Sequence, residues 1–227
     1  MSSRTAKTSR LWCAANAEQR AEIARLHWRD LPEHEILQTT TSLDLAVAAA
    51  RELTREQGVG HVLKLEVTAE LLQRYPGGHI RAEAQRELVA SLQHTITEHA
   101  HYSGGLAEIE LQAAERAIGR RIPDAWRGYL RGACWFHRGW MRDGTYVWLY
   151  PAAMSVELSF DDQCPGMFVI GSDGASEQLV IDLRERSPRV LLANVVRSGW
   201  GETLLQAPSV TSFLTQIEAG TFAFSFT

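Results

Sequence analysis

The chain has 227 residues, 45% of them apolar and 22% charged, and a formal charge of −4. This is the composition of a globular protein with a packed core, long enough for one large or two small domains. It argues against non-specific nucleic-acid binding and against a membrane helix, since no apolar run approaches about eighteen residues.

The opening MSSRTAKTSR is basic, but no apolar core of a secretory signal follows it. Cys13, Cys134 and Cys164 are isolated, with no zinc-ligand spacing. A reduced, cytoplasmic setting is expected.

Leu11–Ala15 reads as a short strand. Asn16 with Gln19 three residues on has the form of a capping box, opening a helix through AEQRAEIARLHWRDL that stops near Pro32. Ser42 caps a second helix, striped by Leu43, Ala46, Val47, Ala50 and Leu53 and ended by Gly58. His61–Val67 alternates as a strand does. TAELLQRY is a short helix, YPGGH a turn, and AEAQRELVASLQHTITEH returns to helical period through Leu88, Leu92 and Ile96. Ser103-Gly104-Gly105 is a turn or linker signal, so residues 1–103 form one expected unit, a small α/β domain, and 104–227 another.

In the second unit, Leu111, Ala114 and Ile118 stripe one helix ended by Gly119. Pro123 stands where a first helical residue would, ahead of a helix striped by Trp126, Tyr129 and Leu130. TYVWLYP, MSVELSF, GMFVIG, EQLVIDL and RVLLANVV then read as strands. APSVTSFLTQIEAG closes as a helix started by Pro208 and Ser209 and stopped by Gly220. The expected fold class is α+β, an antiparallel sheet flanked by helices.

FVIGSDGASEQLVIDLRE, Phe168–Glu185, has the form of a hairpin with an acidic tip: Gly171 and Gly174 accept positive φ, and Asp173 favours a turn. Its spacing is not that of a nucleophile elbow, a dinucleotide loop, a P-loop or a calcium loop. His94, His99 and His101 lack an HExxH or cysteine partner and read as solvated helix-end residues; HEILQ at His34 is likewise no zinc motif. Neither Glu35, Glu52, Glu66 nor Glu70 forms an evident catalytic pair. No catalytic residue, metal or cofactor is expected.

The ordered set IGRRIPDAWRGYL, FVIGSDGASEQLVIDLR and APSVTSFLTQIEAG resembles the SUKH superfamily (Smi/Knr-type domains) over roughly Leu106–Gly220. Arg131–Trp140 departs from the pattern, with Gly132 and Cys134 where many relatives carry an Asn-Gly-type turn. The resemblance implies binding rather than catalysis. SUKH domains are widespread as bacterial immunity proteins that neutralise a cognate toxin, often a nuclease or another enzyme with cytoplasmic targets. The element order of VGHVLKLEVTAELLQRYPGGHI resembles small domains attached to toxin or immunity modules, some of ADP-ribosyltransferase-like shape, but no NAD-binding set accompanies it.

The expected partner is therefore a toxin domain, without direct nucleic-acid or membrane contact. From Asp143 to Leu183 there is no Lys or Arg, against seven acids. Within that stretch Asp161, Asp162, Asp173 and Glu177 are the candidate contacts for a basic groove. Trp135, Trp140 and Trp200 lie in glycine-flanked, loop-like contexts, and Trp140 and Trp200 are the candidate anchors. Trp126 and Trp148 fit core positions. The alternatives are an enzyme acting on a nucleotide or ADP-ribosyl substrate through the first unit, and a regulatory scaffold outside toxin systems.

Overall fold

The computed structural model describes residues 7–32, 37–80, 84–159, 164–194 and 200–225. The chain divides into two compact units, Met1–Ser103 and Gly104–Thr227. Both mix helices with antiparallel strands. Among the described residues no helix is long and apolar enough to cross a membrane.

The first unit runs β1 (Thr8–Ala15), α1 (Ala17–Arg25), β2 (Thr39–Thr40), α2 (Leu43–Gln57), β3 (Val59–Thr68), α3 (Ala69–Arg74), α4 (Gln85–Ala90) and β4 (Thr97–Ser103). Its strands lie in the order β2-β1-β3-β4, each antiparallel to its neighbour. The two-residue period turns Leu11, Cys13 and Ala15 of β1 and Leu63, Leu65 and Val67 of β3 to one face. Ile23, Leu71, Leu88 and Ile96 complete a core there. On the other face α2 approaches β3 at Gly60, where a Cβ would stand 2.0 Å from the Ala50 carbonyl oxygen. Only glycine permits that approach.

Local signals set several helix ends. Asn16 and Gln19 form the capping box. Ser42 Oγ accepts from Leu45 N, and Gly58 closes α2 at φ +84°. Two expectations need correction. The first helix stops at Arg25 rather than near Pro32, because His27 and Trp28 take left-handed φ of 57° and 60°. That turn sends Trp28 and Leu31 onto the core and lets the Trp28 carbonyl accept from Ile96 N at 2.7 Å. The helix expected through residue 99 ends at Ala90, and Thr97–Ser103 is a strand. It pairs with β3 from Lys64↔Thr97 to Val59↔Ser103, burying Ala100 and Tyr102. Pairing with β3 outweighs the weak local helical preference.

The second unit runs α5 (Glu108–Ile118), α6 (Asp124–Arg131), β5 (Trp135–Trp140), β6 (Tyr146–Leu149), α7 (Ala152–Leu158), β7 (Met167–Ser172), β8 (Glu177–Asp182), β9 (Val190–Asn194), a short 3-10 turn at Trp200–Glu202, β10 (Leu204–Ala207) and α8 (Val210–Ala219). The strands are in sequence order, all antiparallel. Trp126, Phe168, Phe213 and Phe222 are fully buried, with Trp126 and Phe213 centroids 6.4 Å apart and Phe213 and Phe222 5.0 Å apart. A second cluster, on the opposite side of β7, joins Tyr150, Cys164, Met167, Val169, Val180 and Leu191.

MSVELSF, expected as a strand, lies mostly in α7. Pro151 is the N-cap, and Met154 and Leu158, four residues apart, pack together on the second cluster. An alternating M-S-V-E-L pattern over so short a stretch does not separate the two periods. Arg131–Trp140, the stretch that departs from the family pattern, contains β5 itself. Pro123 is the N-cap of α6, one position earlier than expected.

Candidate protein-binding site

Two hairpin ends lie side by side in the second unit. In the first, Trp140 of β5 pairs with Tyr146 of β6 across a turn. Asp143 in that turn accepts from Thr145 N and Thr145 Oγ1, each at 2.9 Å. Those two bonds hold the Asp143 carboxyl below the usual range. In the second, Asp173 N donates to the Glu177 carbonyl at 3.2 Å, and Asp173 Oδ1 accepts from Ala175 N at 2.8 Å and Glu177 N at 3.2 Å. Phe168–Glu185 is thus a strand–turn–strand, and its central carboxylate organises the turn.

The register Trp148↔Ser172 between β6 and β7 sets the two turns against each other. Gly174, at φ +81°, packs on Tyr146: a Cβ would lie 2.8 Å from the ring. Trp140 stacks edge-on to Tyr146, with centroids 5.1 Å apart and planes at 64°. Its side of the pair stays 47% exposed. Among the described residues the exposed large apolar side chains are Leu45, Ile109, Leu205 and Trp140, and Trp140 is the one aromatic. The result is a packed aromatic pair at the end of the two hairpins whose turns carry Asp143, Asp173 and Glu177. Glu177 in turn accepts from Asn194 of β9.

Of the candidate site residues, the structure brings Trp140, Asp173 and Glu177 to this one end of the strands. Asp161 and Asp162 lie outside the described residues. Trp200 opens the 3-10 turn and packs half-buried on the second core cluster. The Arg184 guanidinium sits 3.7 Å above its ring, and Arg184 pairs with Asp182 through two side-chain bonds of 2.9 and 2.8 Å. Asp182 is fully buried, so this acid belongs to an internal pair and not to an acidic face. Trp135 and Trp140 are the first and last residues of β5 rather than loop residues. Trp135 is buried, and its indole N–H donates to the Gly104 carbonyl at 2.8 Å.

Sequence reasoning did not single out Tyr146, although the period-two run TYVWLYP after a DG turn carries the signal. The histidines also need correction, for they are not a helix-end group. His94 is exposed near Glu66, at 3.7 Å. His99 lies on β4, edge-on to Trp12, and burial with help from Lys64 pushes it down to about 4. His101, also on β4, stacks on His61. His34 and Glu35 lie outside the described residues.

A cleft of about 80 Å³ between α5, α7 and β7 is too small for a nucleotide. The chain matches no protein-family model and no curated protein.

Proposed function

We propose that this chain is a cytoplasmic immunity protein whose second unit is a SUKH-type domain that binds a cognate toxin domain and occludes its active site. The observation that carries the reading is the exposed Trp140, braced by Tyr146 and edged by Asp143, Asp173 and Glu177. Aromatic side chains held rigid at a surface are the usual energetic centres of protein interfaces. Surrounding carboxylates favour a partner with a basic groove, such as an enzyme acting on nucleic acid, and act chiefly on encounter rate and specificity. The sequence resemblance supports the reading, and the second unit keeps its opening pair of helices, its antiparallel strands, here interrupted by α7, and its closing helix.

The test is co-expression of the full chain with the product of the adjacent upstream gene, followed by gel filtration. A complex that persists through the column supports the reading. Separate elution of two folded proteins, with no protection of cells, contradicts it.

The alternative, an enzyme acting on a nucleotide or ADP-ribosyl group through the first unit, has one observation in its favour. An open depression of about 410 Å³ is lined by Arg29, Val89, Leu92, Gln93, His94 and Thr95, with an arginine suited to a phosphate. Calorimetric titration with NAD separates the two readings, since only the enzyme reading expects heat.

A further inference from the structure

We propose that His61, Glu98 and His101 form a binding site for a divalent transition-metal ion, with zinc as its occupant. The site lies wholly in the first unit and is independent of how the second unit binds its partner.

The three side chains come from two neighbouring strands. His61 of β3 and His101 of β4 are directly paired across the ladder, so they share a face. Their rings stack with centroids 4.6 Å apart and planes 27° apart. Glu98 stands three residues before His101, an odd spacing that would turn it to the opposite face of a regular strand. The pairing shifts register between Val62↔Ala100 and Leu63↔Glu98, leaving His99 as an extra residue. That bulge turns Glu98 back to the face of the two histidines. A backbone irregularity thus converts three scattered positions into one cluster, as bulges near functional sites do.

One potential ligand atom from each residue lies within 4.8 Å of the other two. His61 is 5% exposed. Its Nδ1 is 3.1 Å from Glu98 Oε2, yet it is misaligned and makes no hydrogen bond. A buried ring nitrogen in that state is costly unless something else satisfies it, and a shared cation does so. Two imidazoles and a carboxylate are the donor set of zinc sites that hold three protein ligands and keep a fourth position open. Ligands about 2.1 Å from zinc lie roughly 3.4 Å from one another, so the His61–Glu98 spacing fits and side-chain movement of about 1 Å closes the rest. Glu98 is also oriented by Arg20, whose Nε donates to the same Oε2 at 2.9 Å. A carboxylate has lone pairs for both that bond and a metal, and such outer hydrogen bonds commonly fix ligating carboxylates.

The test uses the untagged full chain, stripped with a chelator and titrated calorimetrically with zinc, cobalt(II) and magnesium chlorides. The expected result is one zinc per chain, cobalt at the same site with visible ligand-field bands, and no magnesium binding. Melting temperature rises with zinc concentration as linkage requires. His101→Gln and Glu98→Gln should each weaken zinc binding at least about 100-fold, while His94→Gln, at an exposed histidine elsewhere, leaves it unchanged. Should those two variants misfold, long-range ¹H–¹⁵N histidine spectra of the wild-type chain decide: zinc is expected to shift the His61 and His101 ring nitrogens. The proposal is overturned by no stoichiometric zinc binding, by binding that survives His101→Gln, or by spectra in which only other histidines respond.

Discussion

Trp140 and Tyr146 face each other at the turn end of β5 and β6, edge to face at 5.1 Å, and the backbone of the next hairpin closes on Tyr146 at Gly174. Trp140 is therefore pre-ordered while half its surface remains in water. An anchor already held in its bound geometry loses little conformational freedom on association. Trp140→Ala should lower folding stability by only about 0.5–1.5 kcal/mol, the worth of the aromatic pair, but lower partner affinity by about 2 kcal/mol or more. Thermal melts and calorimetry on the same preparation separate the two. Equal affinity at a matched fold would remove Trp140 from the interface.

Gly174 tests the support of that platform. Gly174→Ala must place a Cβ at φ +81° and 2.8 Å from the Tyr146 ring, which should cost about 1–2 kcal/mol or more. Gly201 has no positive φ and no atom within 4 Å of where an alanine Cβ would stand, so it should accept alanine almost neutrally. Denaturant midpoints of the two variants should differ clearly, and the partner affinity of Gly174→Ala should fall with its stability.

The acids separate charge from architecture. Asp173 accepts two backbone N–H groups, so Asp173→Ala should lose about 1 kcal/mol of stability, whereas Asp173→Asn keeps the turn and removes only the charge. Reversing Asp161, Asp162 and Glu177 together with Asp173→Asn, which keeps the turn, should slow association and flatten its dependence on salt, leaving dissociation less affected. Stopped-flow rates across ionic strengths check this, and an unchanged salt slope would exclude electrostatic steering by these acids.

Asp182 sets an acid limit on the second unit. The Arg184 hydrogen bonds hold its carboxyl below the ordinary value of 3.8, against the opposing effect of burial. A depressed carboxylate adds stability in full above its unfolded value and loses it as pH falls through the folded one. Asp182→Asn should therefore cost about 1–3 kcal/mol near neutrality, and the gap from wild type should shrink as pH drops below 3.8. Because Arg184 lies over Trp200, tryptophan fluorescence should follow the same transition. A gap independent of pH would mean that the pair contributes nothing through its charge.

What the sequence made legible was local. The Asn16–Gln19 box, the Ser42 and Ser209 caps and the Gly58, Gly119 and Gly220 stops mark helix ends through bonds or φ values within a few residues. The Asp173 hairpin was readable for the same reason. Long-range pairing was not: β4 needed the free edge of β3, and α7 needed a hydrophobic cluster to receive Met154 and Leu158. The glycines around β5 looked like a loop until strand pairing fixed Trp140 opposite Tyr146. His61 and His101 are far apart in the chain, and the bulge that turns Glu98 toward them exists only in the paired ladder. No spacing rule in the sequence anticipates it.

The most direct measurement is survival of cells that express the upstream gene product together with this chain, wild type against Trp140→Ala, at matched chain levels. Full protection is expected from the wild type and reduced protection from the variant, in proportion to its loss of affinity. Cells that die equally with and without the wild-type chain would contradict the immunity reading itself.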